Sequence, residues 1–277
     1  MMIEPARAKL NLALHIRGKR EDGYHELETL FAFVEFGDKI SVDVAEEDRL
    51  AITGPYAEAL TGLEGDNLVC RARDLFRERF GIDDKVAITL AKHLPVASGI
   101  GGGSADAAAT LRAMARQFGI ATDHPELMRC AETLGSDVPA CLFGRTAIGR
   151  GRGEKLEAVD DVAGIPALLV NPGVAVSTPA VFARWSGEAS DGLAPGRAIQ
   201  SAMASRNDLQ PPAIALQSVI GDVIKLLDRQ QGARLVRMSG SGATCFALFA
   251  RADECHRAAA NVRAAQPGWW CSETALA

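Results

Sequence analysis

The stretch that most constrains this chain is Leu94-Pro95-Val96-Ala97-Ser98-Gly99-Ile100-Gly101-Gly102-Gly103-Ser104-Ala105-Asp106-Ala107-Ala108. Three consecutive glycines followed by Ser104 and an alanine-rich run read as a loop that closes onto something and then opens a helix. With no side chains in the way, its N–H groups can line a concavity, and the helix adds unpaired amides and the positive end of its dipole. That is a phosphate cradle; the plainer alternative is a tight turn packed against another element. The loop is not a Walker A motif, because the terminal Gly-Lys-Ser/Thr is absent. Nor is it a dinucleotide fingerprint: Ser104 replaces the third glycine, and a strand-rich meander precedes it.

A length of 277 residues allows one large domain or two of ordinary size. Thirty basic and 35 acidic residues give a formal net charge of -5 without a long run of either sign, which argues against a nucleic-acid footprint. The six cysteines are scattered without a C-x-x-C pair, and four of them read as core thiols. Glu4, Arg7 and Lys9 interrupt the start where a signal peptide would need apolar sequence, and no run reaches the length of a membrane span. The expected setting is cytoplasmic, with a small-molecule partner and neither nucleic acid nor membrane.

Residues 3–17 alternate as a strand with Lys9, Asn11 and Ala13 on one face and Leu10, Leu12, Leu14 and Ile16 on the other. Lys9 reads either as a functional amine beside Asn11 or as an ordinary solvent-facing lysine. Tyr24-His25 stands at the entry to a second strand, 27–34, and suits either a planar ligand or a surface strand start. Gly37-Asp38-Lys39 reads as a turn into a strand at 40–44, and 50–52 is a further short strand, so this part resembles a mostly antiparallel sheet. Asp66 or Asn67 is placed to cap a helix over 68–80. A strand at 86–90 leads through Lys92 and His93 into the glycine loop, whose helix is expected from about Ser104 to Phe118.

A helix over 124–134 runs out at Gly135-Ser136-Asp137-Val138-Pro139. Asp137 there is either a carboxylate that needs a partner or a cap for the short segment 138–143. Residues 147–154 read as a glycine and arginine turn, and 157–164 as an acidic linker. Beyond it come a strand at 165–170, a helix capped by Ser177 or Thr178, and a weakly patterned stretch over 186–200. A helix over 213–230, strands at 234–238 and 245–249, a helix over 253–265 and an edge strand near 269–271 complete an α+β plan. Between the two middle strands lies a second small-residue loop, Ser239-Gly240-Ser241-Gly242-Ala243-Thr244, about 140 positions after the first. The two loops together suggest a ligand gripped from both halves of the chain.

Residues 6–12, the loop 94–108 and the segment 239–246 resemble the three motifs of the galactokinase, homoserine kinase, mevalonate kinase and phosphomevalonate kinase superfamily. Within it, Asp22-Gly23-Tyr24-His25-Glu26-Leu27, Leu134-Gly135-Ser136-Asp137-Val138-Pro139 and Asn207-Asp208-Leu209 resemble the branch that acts on 4-diphosphocytidyl-2-C-methyl-D-erythritol. The resemblance implies a two-domain α+β fold, divided here as 1–158 and 159–277. The N-terminal domain would be like the second domain of ribosomal protein S5 and the C-terminal one ferredoxin-like, with the active site between them. It also implies transfer of the γ-phosphoryl of ATP to the substrate's 2-hydroxyl with Mg2+ as cofactor, in a monomer or weak homodimer.

By the same resemblance, Asp137 matches the catalytic aspartate that takes the hydroxyl proton, and Lys9 the lysine that hydrogen-bonds that aspartate. Asn11 would hold the polyol or the catalytic pair. His25 would read the cytosine edge, Tyr24 would stack, and Phe182 would cover the other face of the base, with Thr178 close by. Pro95, Ala97, Ser98, Gly99, Ile100, Gly101, Gly102, Gly103 and Ser104 would wrap the ATP phosphates, with Asn67 and Lys92 toward the nucleoside. Ser239, Gly240, Ser241, Gly242, Ala243 and Thr244 would line the cleft. Two departures stand out: Ala105 follows Ser104 where the family usually has a second serine, leaving Ser104 as the protein's metal ligand, and Ala97-Ser98 stands where relatives often have glycines.

Overall fold

A computed structural model of the chain describes residues 2–62, 67–160 and 162–277. Asp66, one of the two expected helix caps, lies outside the described residues. The chain divides into two compact units with interleaved segments: one holds Met1–Ala8, Gly37–Val96 and Gly101–Gly144, the other Lys9–Phe36, Ala97–Ile100 and Arg145–Ala277. They are not the sequence halves 1–158 and 159–277, because the two first strands, β1 (Met2–Lys19) and β2 (His25–Ala45), each contribute to both.

In the first unit, the latter part of β2 pairs antiparallel with β4 (Lys85–Ala91), with Lys39 opposite Ala91 and Ala45 opposite Lys85. β3 (Arg49–Thr53) lies parallel to β4, an exception to the antiparallel plan that requires a crossover, and α1 (Leu68–Phe80) supplies it. The expected turn at Gly37-Asp38-Lys39 is absent, since β2 runs straight through it. Gly37 serves close approach instead: a Cβ there would fall under 3.0 Å from the Ala6 carbonyl and Arg7 Cα. Asn67 caps α1 by accepting the Val69 amide at 2.9 Å, and Gly81 ends it in the left-handed conformation, φ 65°. α2 (Gly102–Gln117), α3 (Pro125–Leu134) and α4 (Val138–Phe143) complete the unit. α2 packs on both α1 and α4, and the run Ala105–Ala109 is wholly buried, so its small side chains allow close contact on most of the helix surface.

Arg77 on α1 grips Asp48, just before β3, through two bonds of 2.7 Å, and Asp48 also accepts the Val86 amide at 3.0 Å. Burial alone would raise Asp48, but the Arg77 and Val86 bonds outweigh it and hold the carboxyl at about 2. A depressed carboxylate stabilises the fold above its unfolded pKa of about 4, and that contribution disappears as pH falls through about 2. Asp48→Asn is therefore expected to lower unfolding free energy most at neutral pH, with the difference from the parent shrinking steadily between pH 4 and pH 2 in denaturant titrations. A difference independent of pH would show that the ionised pair is not its source.

In the second unit, the first part of β2 pairs with β5 (Ala147–Gly151), and β5 with β6 (Lys155–Ala158). Residues 147–154, expected as a turn, are thus mostly strand, and Gly149 is there to admit the Phe31 ring, which a Cβ would strike. β7 (Pro166–Asn171), β8 (Ala233–Met238), β9 (Cys245–Phe249) and β10 (Trp270–Ala275) form an antiparallel sheet in the order β10-β7-β9-β8. This is the ferredoxin-like order, with β10 at the expected edge. The helices are α5 (Thr178–Ala183), α6 (Ala198–Ala204), α7 (Gln210–Leu216), α8 (Val219–Asp228) and α9 (Ala252–Ala265). The single helix expected over 213–230 is two, because Gln217 leaves the helical region at φ -139°, ψ 89°. α6 begins within the weakly patterned stretch 186–200. Leu168, Val170, Ile220, Val223, Leu227, Phe249 and Val262 belong to the core beneath these helices. No helix among the described residues is long and apolar enough to cross a membrane. None of the six cysteines stands in a disulfide, and Cys130, Cys141, Cys245 and Cys255 are buried, as core thiols are.

Candidate active site

Lys9 and Asn11 share one face of β1, as the alternation requires, and both are buried, which removes the solvent-facing alternative for Lys9. Lys9 Nζ donates to Asn11 Oδ1 at 3.1 Å and stands 4.8 Å over the Phe31 ring. Asn11 Nδ2 donates to Thr29 Oγ1 at 2.8 Å, and that hydroxyl donates on to the Ala13 carbonyl at 2.7 Å. The carboxamide is therefore fixed with its oxygen toward the ammonium. Behind this strand, the buried Arg237 guanidinium donates to the carbonyls of Leu12, Ala202 and Ser205. Burial among carbonyls pulls Arg237 down to about 10, still charged at neutral pH.

The same unit sews the residue pairs Ser98–Thr244 and Gly99–Ser239 together. Thr244 N–H donates to the Ser98 carbonyl at 3.0 Å, and Ser239 Oγ donates to the Gly99 carbonyl at 3.1 Å. Ser239 Oγ also accepts the Asn11 amide at 3.2 Å, and Lys9 N–H donates to the Ile100 carbonyl at 2.9 Å. Gly240 lies against Gly99 and Asn11 Oδ1, while Gly242 packs on Met238. Ala243 is fully buried, and Ser241 shares a 2.7 Å hydrogen bond with Thr178. The second loop thus touches the first directly at residues 98 and 99, while residue 100 is held by β1. Ala97 adopts φ 52°, a left-handed conformation that a glycine takes without cost and that carries strain of about 1 kcal/mol here.

His25 lies in a ring cluster within this unit: Phe182 stacks on it at 4.8 Å, and Trp185 meets it edge-on at 5.3 Å. Tyr24 is exposed, with the Arg152 guanidinium 5.1 Å from its ring centre. Burial, and secondarily Lys19, depresses the His25 pKa, so its imidazole is neutral at pH 7 and offers one donor and one acceptor. The expected arrangement put a base between Tyr24 and Phe182; the Phe182 ring stacks on His25.

In the first unit, α2 begins at Gly102, two residues before the expected start. Gly101 caps it at φ 66°, ψ 23° without any side-chain hydrogen bond, so the leading amides of residues 102–104 have no side-chain cap. Pro95 is half-buried at the entry to this turn. Lys92 departs most from its expected place toward the nucleoside: its side chain is buried, with Nζ 2.5 Å from Asp38 Oδ2 and 2.6 Å from Asp106 Oδ2. Burial alone would lower Lys92, yet the two carboxylates outweigh it and keep the amine protonated. Asn67 commits its side-chain oxygen to the α1 cap. Asp137, half-buried before α4, makes no side-chain cap bond, so the capping alternative fails.

Ser104, partly exposed in the first turn of α2, presents a hydroxyl suited to a hard cation. Ala105 is buried and brings no oxygen. Among the described residues no three His, Cys, Asp or Glu side chains gather as a metal site. Such a donor set fits a Mg2+ ion held mainly by phosphate oxygens and water, with one hydroxyl from the chain.

Sequence reasoning missed Thr29, Asp38, Asp106, Asn207 as a brace, and Trp185. Asn207 Nδ2 donates to the Met238 and Gly240 carbonyls, both at 2.8 Å, and so shapes the second loop. Asp106 had a visible signal, a lone charge inside an alanine run. Thr29 had none, since its hydroxyl acquires meaning only across the β1–β2 pairing.

Residues 67–145 match the GHMP kinases N terminal domain, and residues 185–267 the GHMP kinases C terminal family. The chain is 52% identical over 273 residues to the 4-diphosphocytidyl-2-C-methyl-D-erythritol kinase of Rhizorhabdus wittichii, covering 96% of this chain and 92% of that one. It is 47% identical to the kinase of the same name from Chelativorans sp., covering 97% and 94%. The crystal structure of a 4-(cytidine 5'-diphospho)-2C-methyl-D-erythritol kinase superposes with a TM-score of 0.85 at 36% identity, covering 99% of both chains. Homoserine kinase from Cytophaga hutchinsonii shares the fold, with a TM-score of 0.76 at 19% identity over 99% of this chain and 94% of that one. With identity of this order over nearly the whole length, and both characteristic domains matched, the chain belongs to the GHMP kinases and, within them, to the 4-diphosphocytidyl-2-C-methyl-D-erythritol kinase family.

Proposed function

We propose that the protein transfers the γ-phosphoryl group of ATP to the 2-hydroxyl of 4-diphosphocytidyl-2-C-methyl-D-erythritol, in the non-mevalonate route to isoprenoid precursors. The observation that carries the substrate is the ring cluster around His25: a neutral imidazole with Phe182 and Trp185 against it and Tyr24 next to it in sequence. A kinase acting on homoserine or mevalonate has no use for such rings, whereas a cytosine offers a flat face and a donor–acceptor edge to them.

In this reading the amides at the start of α2 bind the phosphates of ATP, helped by the dipole and by the absence of side chains at Gly101, Gly102 and Gly103. Asp137 takes the proton as the substrate oxygen forms its bond to phosphorus and the bond to the ADP oxygen breaks. Lys9, steadied by Asn11, supplies positive charge for the transferring group. Mg2+, carried on the phosphates with Ser104 as its ligand from the chain, would offset charge on the β- and γ-oxygens. The small-residue loop 239–244 lines the substrate side together with Thr178.

A coupled ADP-release assay tests the reading, comparing 4-diphosphocytidyl-2-C-methyl-D-erythritol with 2-C-methyl-D-erythritol 4-phosphate, homoserine and mevalonate. Turnover is expected with the cytidylyl compound alone. Equal activity on the uncytidylylated phosphate would remove the role given to the His25 cluster.

A further inference from the structure

Beneath the glycine turn of the first unit lies a buried trio of charges that transfers no proton in the mechanism above. Asp38 on β2 accepts three bonds: Lys92 Nζ at 2.5 Å on Oδ2, and the amides of His93 and Leu94 at 2.5 and 2.8 Å on Oδ1. Asp106, the fifth residue of α2, accepts Lys92 Nζ at 2.6 Å on Oδ2. Lys92 is also held by its backbone, its N–H donating to the Thr53 carbonyl at 2.7 Å and its carbonyl accepting the Tyr56 amide at 3.3 Å. Gly102, the first residue of α2, lies directly on the ammonium, since a Cβ there would sit 3.2 Å from Nζ.

The carboxylate links end on the glycine turn's own supports. The Asp38 carboxylate fixes the residues that enter the turn, Asp106 fixes the helix that leaves it, and Lys92 joins the two carboxylates. We propose that Lys92 is a positioning residue: it holds the amides of Gly102, Gly103 and Ser104 in register for a nucleotide's phosphates, and it does so from below, without touching the nucleotide. This rests on the reading that those amides receive ATP phosphates. Its physical basis is that three buried charges cost much desolvation and are stable only with close mutual contacts, so the positions of their backbones are tightly coupled. Burial, augmented by Asp38 and opposed by Lys92, raises Asp106 above the ordinary carboxylate range.

The test separates charge satisfaction from positioning by comparing Lys92→Met, Asp106→Leu and the double variant Lys92→Met/Asp106→Asn. Melting temperature, ADP affinity by calorimetry, and KM for ATP and for the cytidylyl substrate are read for each. Lys92→Met is expected to lower the melting temperature and raise KM for ATP about tenfold or more, leaving the KM of the other substrate within about twofold. The double variant removes the surplus buried carboxylate and should recover most of the thermal loss, while KM for ATP stays raised. Asp106→Leu keeps the ammonium but cuts its tie to α2, and should raise KM for ATP as well. Recovery of ATP KM together with melting temperature in the double variant would overturn the proposal in favour of simple charge satisfaction. An unchanged ATP KM in Asp106→Leu would instead mean that Lys92 acts on the nucleotide directly. Parent protein that binds no ADP would overturn the nucleotide reading itself, and the proposal with it.

Discussion

Asp137→Asn is expected to reduce kcat by about 10²- to 10⁴-fold while leaving KM for ATP within a few-fold of the parent. The amide is nearly isosteric with the carboxylate but cannot accept a proton at neutral pH. The loss should therefore appear where the hydroxyl proton is transferred and not in the binding of either substrate. A melting curve taken beside the kinetics separates the two effects: one superimposable on the parent's would show that lost turnover is chemical in origin. Turnover within a few-fold of the parent would reject Asp137 as the base. A large rise in KM for ATP would place it in nucleotide binding.

Much of the fold and the site is legible in the amino-acid sequence alone, and what is legible follows a pattern. Alternation in residues 3–17 puts Lys9 and Asn11 on a common face, because side chains on a strand alternate by geometry alone. Asp66 or Asn67, and Ser177 or Thr178, read as caps from local chemistry, and Asn67 and Ser177 accept the amides of Val69 and Ala180. The glycines mislead in one direction. Gly37 and Gly149 look like turn formers, but each lies inside a strand where a neighbour, Ala6 or Phe31, fills the space of a Cβ. Sequence shows that a position lacks a side chain; it does not show whether the backbone turns or another group moves in. Lys92 misleads similarly. A lysine beside a phosphate loop suggests a ligand, and only the distant Asp38 and the helical Asp106 reveal that its charge is already engaged. Long-range pairing decides such cases, and one sequence does not contain it.

Within the loop, Gly99 is required for space more than for its dihedral angle. Its φ is +78°, which an alanine adopts at a cost of about 1 kcal/mol. Its Cβ position, however, is already taken: an added carbon would lie under 3.0 Å from the Gly242 carbonyl and the Ser239 oxygen. Those are backbone atoms, held by the Ser239 and Thr244 bonds to residues 99 and 98, so nothing flexible can yield. Gly119 provides the contrast, with φ +68° but no atom within 4 Å of its Cβ position. Gly119→Ala should cost about 1 kcal/mol in unfolding free energy and keep its activity. Gly99→Ala should cost about 3 kcal/mol or more, and the surviving folded protein should lose most of its turnover, because pushing residues 98–100 from residues 239–244 disturbs the strand that carries Lys9 and Asn11. Equal destabilisation of the two variants in urea titrations would mean that the dihedral angle alone explains Gly99, and that the two loops are not locked together as described.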